Sequence, residues 1–315
     1  MTDIKPPRRI GPHLAVGAGL TKAAERAHEI NATAIQVFTD NPTAWRRRPE
    51  LPPDLPAFRD MLEQYDIAPL AIHAPYLVNL AGADEKFHDQ SIATMVTELE
   101  VGAAYGARFV NVHIGSHRGL GREQGLQRLG DGIARITQTA PPGGPMLVLE
   151  NSAGSGDGIG SAIEDLADTA ELAARRGVDG FGFCLDTAHL WAAGYCIDGR
   201  DGVGRLVERL DALLDRRRVV MLHLNDSRST CGSRVDRHEH IGAGNIGATG
   251  LRAVVQHPWL GSLPAFLETP AMDDGYDAIN LERVRLLLAG DPLAELPEDA
   301  YKSRPGRRSR KRRTG

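Results

Sequence analysis

The stretch FVNVH, residues Phe109–His113, is a short apolar run that ends in a polar side chain, and five other runs share this form. They read LAIH (70–73), MLVLE (146–150), FGFCLD (181–186), VVMLH (219–223) and AFLE (265–268). Their last residues lie 36 to 45 positions apart, and intervening segments such as 91–107 and 160–177 repeat apolar residues at the helical spacing of three and four. A buried strand followed by a helix at this interval indicates the βα units of a parallel sheet.

Two earlier runs, IGPHLAVG (10–17) and ATAIQVF (32–38), bring the number of predicted strands to eight. Eight such units predict a single-domain α/β fold, the (β/α)8 TIM barrel. The alternative is an open doubly wound sheet, but GPHLAVGAGL (11–20) lacks the G-x-G-x-x-G turn typical of its first strand. We place the barrel at residues 1–291 and a Pro-containing linker with a basic tail, expected to be disordered, at residues 292–315.

The composition is that of an ordinary globular protein, with 42% hydrophobic and 25% charged residues. The N-terminal segment lacks the apolar core of a signal peptide, and no apolar run approaches the ~18 residues of a membrane helix. We therefore expect a cytoplasmic protein without a membrane partner, and nothing in the sequence demands an oligomer, so a monomer is expected.

The three cysteines, Cys184, Cys196 and Cys231, show no CxxC spacing. An odd and sparse set predicts reduced thiols and argues against a cysteine zinc site.

The charge is distributed unevenly along the chain. The whole chain carries a net charge of −4, but residues 302–315 contain eight Lys or Arg and no acid, which leaves 29 basic against 41 acidic residues and −12 elsewhere. A basic tail suits a polyanion such as DNA, and the simpler alternative is a solvated segment that aids solubility.

The polar ends of the six runs are all of residue types that can bind metals: His73, His113, Glu150, Asp186, His223 and Glu268. In a TIM barrel the active site lies at the carboxyl ends of the strands, so we expect these side chains to surround one mouth. Carboxylates that converge there would repel one another unless a cation lay between them. Zn²⁺ accepts both histidine nitrogen and carboxylate oxygen as ligands.

Three further candidate ligands lie close to these residues in the sequence. His189 follows Asp186 within CLDTAHLWAAGY (184–195), and Asp236 and His238 lie within SRVDRHEHIGAGNIG (233–247). Three ligands with an open position are the arrangement expected of a catalytic zinc. We expect His240, in the same stretch, to be exposed to solvent or to support the ligands without binding metal.

These segments resemble the endonuclease IV family of zinc-dependent apurinic/apyrimidinic endonucleases in base excision DNA repair, from about Ile10 to Leu288. The resemblance rests on NVHIGSH (111–117), LENSAGSG (149–156), CLDTAHLWAAGY, MLHLNDSRSTCGSRVDRHEHIGAGNIG (221–247) and LETP (267–270). It implies three Zn²⁺ per chain. In the implied grouping, His73 and His113 hold one ion, and Glu150 bridges it to a second that is also held by Asp186, His223 and Glu268. His189, Asp236 and His238 hold the third.

The resemblance also implies cleavage of double-stranded DNA on the 5′ side of an abasic site, leaving a 3′-hydroxyl and a 5′-deoxyribose phosphate. Glu150 and Glu268 would be catalytic, the first by positioning two ions and the second by orienting or deprotonating water. Asn41, Tyr76 and Leu77 match the family's DNA-contacting loops. Thr43 departs from the pattern, because an arginine is usual there, and the nearby run 46–48 (RRR) is a candidate to compensate.

Three alternative functions explain part of this pattern. A sugar isomerase or epimerase shares the metal-containing barrel, but such a site needs about four ligands and leaves His189, Asp236 and His238 unexplained. A UV-damage endonuclease has similar chemistry and matches the quoted segments less well. A zinc-stabilised DNA-binding protein without enzymatic activity would favour cysteine ligands in a closed site.

Overall fold

A computed structural model of the 315-residue chain describes residues 8–271 and 275–300. Its strands are β1 (Ile10–Leu14), β2 (Ile35–Val37), β3 (Leu70–His73), β4 (Phe109–His113), β5 (Met146–Glu150), β6 (Phe181–Asp186), β7 (Val219–His223), β8 (Asp226–Ser227), β9 (His238–Glu239) and β10 (Ala265–Leu267). The strands β1 to β7 and β10 pair in parallel and close into a barrel in which β10 lies between β7 and β1. The prediction of a TIM barrel is confirmed. The short strands β8 and β9 form an antiparallel pair outside it, which the sequence did not predict.

The helices follow the strands as expected for βα units. They are α1 (Leu20–Glu29), α2 (Leu55–Gln64), α3 (Glu85–Tyr105), α4 (Arg122–Thr139), α5 (Ile163–Arg175), α6 (Thr187–Ala193), α7 (Arg200–Leu213), α8 (Gly247–Gln256) and α9 (Tyr276–Ala289), with 3₁₀ turns at Arg216–Arg218 and Leu260–Ser262. Helix α3 begins six residues before the predicted segment because the Asp84 carboxylate accepts a hydrogen bond from the Phe87 N–H, which caps the helix. Among the described residues, no helix is both long and apolar enough to span a membrane.

The inside of the barrel changes from apolar to polar towards the carboxyl ends of the strands. Inward positions alternate along each strand, so residues two apart face the same side. The lower inward layer is apolar and buried: Ala34, Ala71, Phe109, Val148, Cys184, Met221 and Phe266. Two residues further along the same strands stand Gln36, His73, Asn111, Glu150, Asp186, His223 and Glu268. The pleat alone therefore brings these polar side chains to one layer above a dry floor.

A second apolar layer lies between the strands and the helices, and it supports this arrangement from outside. Strand β1 approaches its neighbour especially closely. A Cβ atom on Gly11 would lie 1.5 Å from the backbone oxygen of Ala34, so only glycine permits this contact.

The prediction for His240 is wrong. The side chain is fully buried, and its ring nitrogens contact Asn280 Nδ2 at 3.0 Å and the Ala300 carbonyl oxygen at 3.2 Å. His240 therefore ties the end of the described chain to α9 instead of facing solvent or the mouth. Residues 301–315, which include the whole basic segment 302–315, lie outside the described residues.

The prediction of three reduced cysteines is also wrong. Cys196 and Cys231 form a disulfide, and Cys184 is free and buried in the barrel floor. The two paired residues are 35 positions apart, one shortly after α6 and the other in the loop that packs on α6. Pairing depends on this proximity in space, which no local spacing of cysteines reveals.

Candidate metal centre

The carboxyl ends of the barrel strands surround a cavity of about 770 Å³. Its lining combines strand-end residues with residues from the connecting loops: His13, Leu14, Ala15, Phe38, His73, Tyr76, His113, His189, Asp236, His238, Glu268, Thr269 and Ala271. The predicted ligands Glu150, Asp186 and His223 lie directly beneath and are fully buried. All nine predicted ligands are thus at one mouth, in three overlapping groups.

The first group is formed by His73, His113 and Glu150. The Nε2 atoms of the two histidines lie 3.7 and 3.8 Å from Glu150 Oε2. The His73 Nδ1–H donates to the Ala74 carbonyl oxygen at 2.7 Å, so the lone pair of its Nε2 faces the carboxylate. These ligand atoms lie close enough together to hold one metal ion.

The second group is formed by Glu150, Asp186, His223 and Glu268. His223 Nδ1 lies 3.2 Å from Glu150 Oε1 and 3.3 Å from Glu268 Oε2. The opposite nitrogen, Nε2, lies 3.0 Å from the Gln36 side-chain oxygen and donates to it. When His223 is neutral, the lone pair on its Nδ1 therefore faces two carboxylates, an arrangement that a cation between them would stabilise.

The third group combines helix α6 with the loop that precedes β9. Asp236 lies 3.2 Å from His189 Nε2 and 3.2 Å from His238 Nε2. Each histidine is oriented by a backbone carbonyl, since His189 Nδ1 contacts Asn151 O at 2.9 Å and His238 Nδ1 contacts Glu268 O at 2.8 Å. Asp186 Oδ2 lies 3.6 Å from His238 Nε2, so Asp186 stands between the second and third groups.

The donor set fits divalent metal ions. Within the described part of the chain, the buried atoms Glu150 Oε1, His223 Nδ1 and His238 Nε2 have no hydrogen-bond partner, and each lies 3.2 Å from an atom of another predicted ligand. Buried polar atoms are rarely left unpaired, and their cost is removed when they coordinate a metal. Imidazole nitrogen with carboxylate oxygen is the ligand chemistry of zinc and related ions.

The electrostatics of the metal-free cluster agree with this fit. Burial lowers the pKa of His238, but Asp186 and Asp236 outweigh it and raise that pKa to about 9. Burial also lowers the pKa of His189 and of His223, but carboxylates around His189, and Cys184 with Glu150 around His223, raise both pKa values well above the usual value. Burial works against ionisation of Glu150, yet the surrounding histidines hold its pKa well below normal. The raised pKa values of these histidines show that their surroundings favour positive charge at this place, as a metal site does.

Four supporting residues were not identified from the sequence. Asn111 Nδ2 donates to Glu150 Oε2 at 2.6 Å, and Asn225 Nδ2 donates to Asp186 Oδ2 at 2.6 Å. Glu268 Oε1 contacts Gln36 Nε2 at 2.8 Å and His13 Nδ1 at 3.2 Å. The sequence pattern could have identified Gln36 and Asn111, because each stands two residues after an apolar inward position in its strand region. Asn225 follows β7 without such a marker.

The predicted DNA-contacting residues lie on two loops at the edge of the cavity. The Tyr76 ring lies 5.6 Å from the His73 ring and 6.0 Å from the His113 ring, yet the residue is 54% exposed. Leu77, the next residue, is 36% exposed. The Tyr76 N–H donates to Pro42 O at 3.0 Å, which joins this loop to the exposed turn containing Asn41.

Two of the three arginines near Thr43 form ion pairs or hydrogen bonds within the protein. Arg47 pairs with the buried Glu98, and Arg48 contacts Asp40 through its backbone N–H and its Nε. Arg46 is exposed. The Asn41 side-chain oxygen accepts from the backbone and hydroxyl of Thr43 at 3.0 and 2.8 Å. Compensation for Thr43 by Arg47 would require breaking a buried ion pair, so Arg46 is the better placed candidate.

Comparison with known proteins identifies the family of this chain. A model of the xylose isomerase-like TIM barrel family matches residues 24–286. A protein of Chloroflexus aurantiacus named probable endonuclease 4 is 37% identical over 283 residues, covering 90% of this chain and 99% of the relative. The chain belongs to the endonuclease IV family. A probable endonuclease 4 of Natronomonas pharaonis is 35% identical, covering 89% of this chain and 98% of the relative.

Solved structures show the same relationship. Endonuclease IV from Thermus thermophilus superposes with a TM-score of 0.77 at 35% identity, covering 90% of this chain and all of that one. A D-tagatose 3-epimerase-like protein superposes with a TM-score of 0.65 at 18% identity, which shows a shared barrel fold only.

Proposed function

We propose that this endonuclease IV family member hydrolyses the DNA phosphodiester on the 5′ side of an abasic site, in base excision repair. The products would be a 3′-hydroxyl and a 5′-deoxyribose phosphate. The observation that carries the proposal is the third ligand group, in which Asp236 lies 3.2 Å from both His189 and His238. A hydrolase acting on an anionic phosphodiester has a use for this additional cation site, whereas a one- or two-ion sugar isomerase does not.

The proposed cofactor is three Zn²⁺ per chain. His73, His113 and Glu150 would hold one ion, Glu150 with Asp186, His223 and Glu268 a second, and His189, Asp236 and His238 the third. Bound zinc supplies Lewis acidity, which lowers the pKa of water and neutralises charge that develops on phosphate oxygens.

The catalytic carboxylates have different surroundings. Glu150 is fully buried and contacts histidines of every group, so it sets the relative positions of the ligands. Glu268 borders the open cavity. Its Oε1 is fixed by Gln36 and His13, while its Oε2 faces His223. These contacts support a role for Glu268 in orienting an attacking water or accepting its proton.

The mouth suits an extrahelical nucleotide. A deoxyribose phosphate without a base is small enough for the cavity, and loss of the base lowers the cost of flipping it out of the stack. Tyr76 and Leu77 project from the edge of the cavity and would fill the space that the flipped residue leaves, while Asn41 would contact the duplex beside it. We infer that a monomer acts on chromosomal DNA in the cytoplasm.

The test is incision of a labelled duplex with one abasic site, against an undamaged duplex. We expect a single cut 5′ to the lesion whose 3′ end a DNA polymerase extends, and loss of incision after chelation. Glu150→Gln preserves the side-chain shape and should abolish incision while DNA binding persists. A cut on the 3′ side, or full activity of Glu150→Gln, would refute the proposal.

A further inference from the structure

The disulfide joins the two segments that supply the third ligand group. His189 lies in α6, and Cys196 lies three residues beyond the end of that helix. Asp236 lies near the end of the loop 228–237, His238 follows the loop as the first residue of β9, and Cys231 lies within the loop. The cross-link therefore connects the source of one ligand with the source of the other two.

Hydrogen bonds hold the same two segments together beside the disulfide. The Gly232 N–H donates to Trp191 O at 3.0 Å, and the Arg234 N–H donates to Ala192 O at 2.9 Å. The Trp191 indole N–H donates to Ser229 O at 2.8 Å. The loop therefore packs along α6 through these hydrogen bonds. The disulfide adds a covalent link just beyond the C-terminal end of α6.

Asp236, the predicted ligand on this loop, is held less firmly by its surroundings than the ligands on the barrel strands. The Asp236 side chain is 45% exposed, whereas the carboxylates Glu150 and Asp186, on barrel strands, are fully buried. A ligand on a loop loses conformational entropy each time it is brought to the metal, and a covalent constraint lowers that cost.

We propose that the Cys196–Cys231 disulfide is a positioning element for the third metal, which the oxidised chain retains and the reduced chain releases faster. The inference rests on the proposed function only in taking this group as a metal site. Cys196 is exposed, so a reductant can reach its sulfur. A water-soluble phosphine reduces the bond by taking oxygen from water to form a phosphine oxide, and each sulfur gains a proton.

The experiment follows zinc transfer from the loaded full-length protein to an excess of chromogenic chelator. We expect one zinc per chain to leave roughly tenfold faster in the double variant Cys196→Ser/Cys231→Ser, the size typical of losing a support for metal ligands. The other zincs should leave at the wild-type rate. His189→Asn identifies the phase, because that variant should lack it.

The phosphine provides the matched control. It should accelerate the same phase in wild type and leave the double variant unchanged, which tests the proposal even if the variant folds poorly. Equal release by oxidised and reduced wild type would overturn the proposal, and incision of abasic DNA would then still support the proposed function. The reverse result, in which reduction speeds the release of one zinc but the protein does not incise abasic DNA, would uphold the positioning role and refute the proposed nuclease activity. Wild type that binds no zinc would overturn both.

Discussion

Asn111→Ala should loosen the metal centre without altering any ligand. Asn111 is fully buried in β4, and its side-chain amide donates to Glu150 Oε2 at 2.6 Å. A hydrogen bond to a charged group contributes about 1.5–3 kcal/mol, and its loss leaves a buried acceptor unpaired. Since about 1.4 kcal/mol is a factor of ten, zinc binding through Glu150 should weaken roughly 10- to 100-fold.

The assay is competition for zinc against a chelator of known affinity, with Asn280→Ala as the matched control. Asn280 is another fully buried asparagine, but its partners are His240, Ile241 and the Tyr276 carbonyl in the wall formed by α9. The control should lower the melting temperature and leave zinc affinity unchanged. Zinc affinity of Asn111→Ala equal to wild type, or an equal loss in both variants, would refute the assignment of Glu150 as a ligand supported by Asn111.

Four further outcomes are expected. Tyr76→Ala should weaken binding to an abasic duplex by about 1–3 kcal/mol, as for loss of an aromatic group that stacks on bases, and unchanged anisotropy titrations would remove Tyr76 from the interface. Zinc loading near neutral pH should release about three protons, because the pKa values of His189, His223 and His238 are raised before metal binds, by Cys184 and carboxylates at His223 and by carboxylates at the other two. Zinc affinity should therefore rise with pH up to about 9, the pKa of His238; calorimetry in two buffers that detects no proton release would contradict this. Arg47→Met should cost about 3–5 kcal/mol in urea unfolding by leaving the buried Glu98 without its cation, with little change in DNA affinity, and unaltered stability would argue against the ion pair. Protein denatured without reductant should expose one reactive thiol, from Cys184, and a count of three would exclude the disulfide.

The barrel was predictable because its signal is local and repeated. Each inner strand combines an apolar run with a polar end, and a period of two along the strand fixes which residues share a face. Strand ends such as His113 and Glu150 were therefore placed correctly, and their registry as neighbours on β4 and β5 follows from the parallel pairing.

Features that depend on contacts between distant segments were not predictable. His240 has the same local surroundings as His238, but burial against Asn280 and Ala300 decides its role. Cys196 and Cys231 meet only because the loop 228–237 folds back along α6. The ion pair between Arg47 and Glu98 likewise joins two residues that are 51 positions apart in the sequence.

The most direct test of the account is the location of bound metal in the zinc-loaded protein, by anomalous scattering measured on both sides of the zinc absorption edge. We predict three peaks at the mouth of the barrel: one beside His73 and His113, one beside His223 and Glu268, and one beside His189 and His238. Peaks elsewhere, or a mouth without anomalous signal in protein that incises abasic DNA, would contradict the account.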